Sequence, residues 1–209
     1  MSCAASPGDN FDSPVVLATF NARYIHASLS LRMLAANWRS DRSLRLFEGT
    51  IEDNPVEAAQ KILAMNPVLA AFSVYIWNVE LVEKVVRVLR RAAPSLPIMA
   101  GGPEMAVDFT GPGWIHELDA VVQGEADVAF AALCGQVLAT PPSPKERPLF
   151  FRPERPSPEE LHLPVEPYTD GDIQNRVVSV EASRGCPMRC AFCTAATVAP
   201  VRFPTDRVL

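Results

Sequence analysis

The chain has 209 residues, 48% of them apolar and 21% charged, with a formal net charge of −5. Those values describe an ordinary globular protein with enough apolar residues for one or two cores. They argue against a nucleic-acid partner, which needs a basic face, and no stretch approaches the ~20 apolar residues of a membrane-spanning helix. The polar start, residues 1–14, reads as disordered and lacks the basic and apolar regions of a secretion signal. A cytoplasmic setting, where thiols stay reduced, is the expectation.

From 15 to 139 short apolar runs alternate with helical periods. Residues 15–19 read as a buried strand, 28–38 as a helix and 44–48 as a second strand. Residues 55–65 form a helix with Pro55 suited to its first turn. The run 68–74 is apolar throughout, as a central parallel strand should be. Asn78 is placed to cap the next helix, where Val82, Val85, Val86 and Leu89 share one face while Lys84, Arg87, Arg90 and Arg91 look outward. Residues 97–100 and 120–123 supply the fourth and fifth strands, and 125–138 a last helix. Five strands with intervening helices predict an α/β fold, a doubly wound, mostly parallel, Rossmann-like sheet.

Between 140 and 175 the character changes. Pro141, Pro142, Pro144, Pro148, Pro153, Pro156, Pro158, Pro164 and Pro167 oppose regular helix and predict an extended linker, with 149–152 able to add an edge strand. Beyond it, 176–209 reads as the start of a second domain. Residues 177–182 have the pattern of a strand, and Pro204-Thr205-Asp206 that of a helix start.

The chemistry concentrates in Arg184-Gly185-Cys186-Pro187-Met188-Arg189-Cys190-Ala191-Phe192-Cys193. Three thiolates at C-x3-C-x2-C spacing can hold three irons of a [4Fe–4S] cluster and leave the fourth iron open. A structural zinc needs four ligands, and the other cysteines, Cys3 and Cys134, and the three histidines are scattered ahead of this run. A disulfide would leave one thiol over and would need an oxidising compartment. Cys134 falls in a helical pattern as a small buried hydrophobe. With Phe192 before the third cysteine, the run resembles the cluster loop of the radical SAM superfamily. That resemblance implies that Cys186, Cys190 and Cys193 ligate the cluster. It also implies that the open iron binds S-adenosylmethionine (SAM), that Phe192 contacts the adenine, and that a reductant supplies one electron. Arg184 and Gly185 shape the start of the loop.

Open α/β sheets bind ligands beyond the carboxyl ends of their strands, and three such ends here are unusual. They are Asn21-Ala22-Arg23-Tyr24-Ile25-His26, Ser73-Val74-Tyr75-Ile76-Trp77-Asn78 and Gly101-Gly102-Pro103-Glu104. Adjacent glycines let backbone approach a ligand where a Cβ would collide. In this order the three resemble the cobalamin (vitamin B12) binding domain that precedes the radical SAM domain in a large group of proteins. There a histidine loop follows the first strand, Ser-x-Leu the third and Gly-Gly the fourth. The resemblance implies that Ser73, Gly101 and Gly102 face the nucleotide tail of cobalamin. Asn21, Tyr24, His26, Tyr75, Pro103, Gly124 and Glu125 would complete the site, with Tyr75 and Trp77 flanking the corrin or packing on the core. The family's cobalt-ligating Asp-x-His-x-x-Gly is replaced by Tyr24-Ile25-His26-Ala27-Ser28-Leu29. His26 therefore lacks the acceptor that normally sets a ligand's tautomer, and a cobalt ligand or a capping or core residue are both open to it.

The resemblance implies a cobalamin-binding radical SAM protein that methylates or rearranges a small-molecule substrate. A cobalamin-binding module without catalysis is the alternative. A radical SAM methylthiotransferase acting on tRNA is disfavoured, because its first domain carries three further cluster cysteines. A full (β/α)₈ barrel takes roughly 250 residues. The chain is expected to be truncated just after the cluster loop and not to turn over by itself.

Overall fold

A computed structural model of the chain describes residues 13–105, 113–164, 167–188, 190–191, 193 and 199–208. Strand β1 (Val15–Asn21) leads to helix α1 (Leu29–Ala36), then β2 (Leu44–Thr50), α2 (Pro55–Ala64), β3 (Leu69–Ser73), α3 (Val79–Ala92), β4 (Ile98–Gly101), β5 (Ala120–Val122) and α4 (Phe130–Ala139). A sixth strand, β6 (Leu149–Phe151), completes a sheet ordered β2-β1-β3-β4-β5-β6, with every pairing parallel. Chain order reverses between β1 and β3, the topological switch point where such sheets open a crevice.

Successive side chains of a strand point to opposite faces, and β1 uses both. Val16, Ala18 and Phe20 join the core under α2 and α3, whereas Val15 and Leu17 join the core under α1 and α4. Val82, Val85, Val86 and Leu89 of α3 are fully buried, each stabilising the fold by about 1.5–3 kcal/mol. Helix α2 starts as the sequence requires, with Asn54 Oδ1 accepting from the amides of Val56 and Glu57 and Pro55 in the first turn.

Four expectations are corrected. Asn78 stands at the start of α3 but does not cap it. It is completely buried: its Oδ1 accepts from the Tyr75 amide and its Nδ2 donates to Thr19 Oγ1, Phe20 O and Ser73 O. It ties the ends of β1 and β3 together instead. Arg90 does not simply face water. Its guanidinium holds the buried Asp119 at 2.7 Å and the carbonyls of Glu117 and Leu96. Helix α4 begins at Phe130 rather than 125, because Glu125 and Asp127 are drawn into ion pairs described below.

The fourth correction concerns the end of the chain. The strand expected over 177–182 is absent, and only Val177 forms a bridge, parallel to His26. A two-residue strand β7 (Ser183–Arg184) pairs antiparallel with β8 (Val201–Arg202), before α6 (Thr205–Val208). Local preference for extended backbone does not by itself make a strand, and here the run lies along no edge of the sheet beyond the single bridge at Val177.

The proline-rich stretch is fastened to the sheet. Besides β6 it carries α5 (Asp170–Asn175), which forms just past the last proline and starts at a Thr169–Asp172 capping box. Leu161 packs with Met33 and Phe203. Asn37 and His162 exchange hydrogen bonds of 2.9 and 2.8 Å.

Candidate cofactor cavity and cysteine loop

A cavity of about 420 Å³ opens at the carboxyl ends of β1, β3, β4 and β5. Its walls are apolar: Leu17, Met33 and Leu34, Ala71 and Met99, Val122 and Phe130. Hydroxyls of Ser30, Ser73 and Tyr75 punctuate them, and Glu125, Asp127, Glu181 and Arg184 form a charged mouth. Ser73 Oγ lies 3.3 Å from Ser30 Oγ, while the Ser73 carbonyl accepts from Thr19 Oγ1 at 3.0 Å. An apolar slot with a few placed polar groups is the usual form of a small-molecule site.

Glycine is required at position 102. Its φ is +109°, and a Cβ there would lie 2.6 Å from the Val74 carbonyl oxygen. Val74 in turn donates to the Gly101 carbonyl at 2.7 Å and accepts from Glu104. Gly102 thus lines the cavity, but what excludes a side chain is the backbone of Val74, just past β3. The turn holds the cavity's rim by letting two chain segments touch.

Of the residues singled out from the sequence, Ser73, Tyr75, Gly101, Gly102, Pro103, Gly124 and Glu125 line this cavity. Asn21, Tyr24 and His26 do not. They lie on the loop after β1, where the His26 carbonyl accepts from Asn21 Nδ2 at 2.9 Å and from Arg176 Nη2 at 2.6 Å. Arg176 also donates to the Tyr24 carbonyl and stacks over its ring at 5.2 Å. His26 is exposed, which rules out the core role. Tyr75 and Trp77 stack with centroids 4.4 Å apart and planes 10° from parallel, next to the exposed Ile76. Sequence reasoning missed Ser30, Met33, Asp127 and Glu181, and Arg184 as a wall. Ser30 in the first turn of α1 and Asp127 shortly after β5 carried a local signal, whereas Met33, Glu181 and Arg184 carried none.

Behind the β1 loop lies a ring of alternating charge. Arg32 bonds Glu48 at 2.6 Å and Asp172 at 2.8 Å, and Arg176 bonds the same two carboxylates. Arg32 is 3% exposed and stacks over Tyr168 at 4.7 Å. Burial opposes ionisation of Asp172. Hydrogen bonds from Arg32, Thr169 and Arg176 outweigh that and hold its carboxyl below the usual range.

The cysteine loop is less gathered. Cys186 and Cys193 are half-buried, Cys190 is exposed, and all are free thiols. The Cys193 amide donates to the Cys190 carbonyl at 3.1 Å. Among the described residues no three His, Cys, Asp or Glu side chains converge as metal ligands, so the donor set rests on spacing alone. Phe192 and Cys3 lie outside the described residues. Cys134 is buried, as expected, and desolvation pushes its thiol up to about 12. No described helix is long and apolar enough to cross a membrane.

A parallel sheet with an apolar cavity at its switch point defines a ligand-binding doubly wound domain. The model of the B12 binding domain matches residues 15–134, and the chain belongs to that family. It is 29% identical over 181 residues to the 2-(S-pantetheinyl)-carbapenam-3-carboxylate methyltransferase of Streptantibioticus cattleyicolor, covering 73% of this chain and 26% of that protein. It is 27% identical over 176 residues to the cobalamin-dependent radical SAM methyltransferase TokK of Streptomyces tokunonensis, covering 69% of this chain and 25% of that one. The chain thus spans about a quarter of the length of these relatives. Among solved structures, the cobalamin-dependent S-adenosylmethionine radical enzyme OxsB superposes with a TM-score of 0.66 at 15% identity. The match covers 94% of this chain and 31% of OxsB, a likeness of fold.

Proposed function

We propose that this chain is the cobalamin-holding part, and the start of the cluster-bearing part, of a cobalamin-dependent radical SAM methyltransferase acting on a small molecule. The observation that carries the reading is the cavity at the β1/β3 switch point, whose lining apart from Glu181 and Arg184 falls inside the region matched by the family. Its residues fit the nucleotide tail of cobalamin: flat apolar walls for a heterocycle, hydroxyls from Ser30, Ser73 and Tyr75, and a glycine rim. Bound cobalamin would supply methyl-group transfer, and a cluster on Cys186, Cys190 and Cys193 would supply one electron to S-adenosylmethionine. Asn78 fixes the β1 and β3 ends that form the floor. The stacked Tyr75–Trp77 pair and Ile76 offer an apolar surface beside the mouth. His26 serves by its backbone, tying the β1 loop to Arg176 and Val177.

The test is absorbance titration of the anaerobic protein with hydroxocobalamin. Saturable binding is expected, and Ser30→Phe, which fills the slot from α1, should remove it while leaving the circular dichroism unchanged. Absence of saturable binding by the wild-type chain would overturn the reading. A binding module without catalysis is favoured by one observation: the region matched by the family ends at 134, ahead of the cysteines. Iron and sulfide counts after reconstitution separate the two. A cluster lost in Cys186→Ala, Cys190→Ala or Cys193→Ala but kept in Cys134→Ala supports the enzyme, and no bound iron supports the module.

A further inference from the structure

Arg184 stands in the wall of the cavity and two residues before the first cysteine of the loop. Its guanidinium is ringed by three carboxylates. Nη1 donates to Glu125 Oε2 at 3.0 Å and Asp127 Oδ2 at 2.7 Å, and Nη2 to Asp127 Oδ1 at 3.1 Å and Glu181 Oε2 at 2.9 Å. Nε donates to Glu181 Oε1 at 2.8 Å. These five bonds match the five N–H groups that a guanidinium carries, so none is left for a cofactor phosphate or a substrate. Glu125 and Asp127 come from the loop after β5, one of the cavity's rims, while Glu181 and Arg184 come from the segment that leads into the cysteines. Arg155 holds Glu125 from the other side at 3.0 Å and also donates to the Ala199 carbonyl at 3.0 Å. Both flanks of the cysteine loop are thereby fastened to the same rim.

Resting on the reading above, we propose that Arg184 is a positioning residue that couples the two sites: it closes the cobalamin cavity and fixes the cysteine loop against it. The physical reason is geometric. Glu181 and Arg184 are cavity wall, so an occupant of the cavity presses on the side chains that hold the segment before Cys186. By linkage, an occupant that favours the closed clamp is favoured by it to the same degree. The guanidinium fork is needed, because an ammonium is a compact point charge that cannot make paired bonds to two carboxylates while reaching a third. The sheet domain alone would then form an open slot, and the site is complete only with the segment after the linker.

The experiment uses the full 209-residue chain, with hydroxocobalamin as probe and backbone hydrogen exchange as a second readout. In the wild type, cobalamin should slow exchange both at 73–74, on the cavity floor, and at 181–186. Arg184→Ala should bind about tenfold more weakly, within the usual range of coupling between sites. It should keep the protection at 73–74 and lose that at 181–186. Arg184→Lys should fall between, and Val56→Ser, on the exposed face of α2, should match wild type. If Arg184→Ala disturbs the exchange of β1 and β3 without ligand, Arg184→Lys and Glu181→Gln carry the test, with the same direction expected. Wild-type affinity within twofold, together with retained protection at 181–186, would overturn the coupling while leaving the cobalamin reading intact. No binding by wild type overturns both.

Discussion

The sheet and the segment that follows the linker hold their residues in place by different means. In β1 and β3 every residue from Val15 to Phe20 and from Leu69 to Ser73 is buried, each strand lies between two neighbours, and helices cover both faces. In 177–184 the side chains of Val177, Val178 and Val180 remain 49%, 39% and 63% exposed. The attachment there is by a few backbone hydrogen bonds and by ion pairs, through Arg176 at one side of the sheet and Arg184 at the other. The same local preference for extended backbone thus yields a sealed strand or an exposed tether according to whether partner edges exist. Apolar burial is non-directional and tolerant, whereas fastening by guanidinium forks depends on a few atoms. Single substitutions at the clamps should therefore have effects out of proportion to their number.

The largest effect is expected at the charge ring. Arg32→Ala leaves Glu48 and Asp172 facing one remaining arginine in a buried setting. Removing one member of a buried pair costs about 3–5 kcal/mol, and Arg176 keeps this case near the lower end. Chemical denaturation should show a loss of about 3 kcal/mol. A loss no larger than that of an exposed pair such as Arg87–Glu83 would show that the tether does not contribute to the fold.

Next is the glycine turn. Gly102→Ala places a Cβ against the Val74 backbone in a left-handed conformation, and strain of that kind costs about 1–3 kcal/mol. Because the strain falls where the turn after β4 meets the chain just past β3, stability and cobalamin affinity should fall together. Loss of affinity with unchanged melting temperature would mean that the glycine serves the ligand directly.

How much of this was legible follows from the range of each force. The strands were readable because a parallel strand buried on both faces is a continuous apolar run, as 68–74 is. The helix at 55 was readable because Asn54 and Pro55 are local signals. The cavity was half readable. Its glycines and Ser73 stand at strand ends, but Ser30, Asp127 and Glu181 reach it only once the helices and the last segment are placed. The ion-pair ring was invisible, since Arg32 and Asp172 meet only after the proline-rich stretch has folded back. Asn78 misled because its type and position fit a helix cap, and a buried cluster of carbonyls competed for its amide and won.

A smaller effect is expected from acid. The carboxyl of Asp172 lies below its ordinary value of about 3.9 because three hydrogen-bonding partners overcome its desolvation. A group whose pKa is depressed on folding adds stability at pH values above its unfolded pKa, and that contribution is lost as pH falls through and below it. Asp172→Asn should therefore be less stable than wild type at pH 7. The gap should narrow progressively below about pH 4. A gap that stays constant down to pH 3 would mean that the charge of Asp172 contributes nothing to holding α5.

The smallest effect contrasts the thiols of the two regions. Cys134 is 1% exposed among the residues under α4, and its thiol is pushed up to about 12 by burial. Almost none of it is thiolate at neutral pH, and the thiolate is the reactive form. Cys190 is exposed, and Cys186 and Cys193 are half-buried. Brief treatment of the metal-free native protein with iodoacetamide at pH 7.5, followed by peptide mass analysis, should modify Cys190 first and Cys186 and Cys193 more slowly. Cys134 should react only when denaturant opens the sheet. Alkylation of Cys134 at the rate of Cys190 would show that the core under α4 opens as readily as the tether, erasing the difference between the two regions. Protection of all three loop cysteines after anaerobic loading with iron and sulfide, with Cys134 unchanged, would sharpen it, because the same chemistry would then report the packed core and the cluster separately.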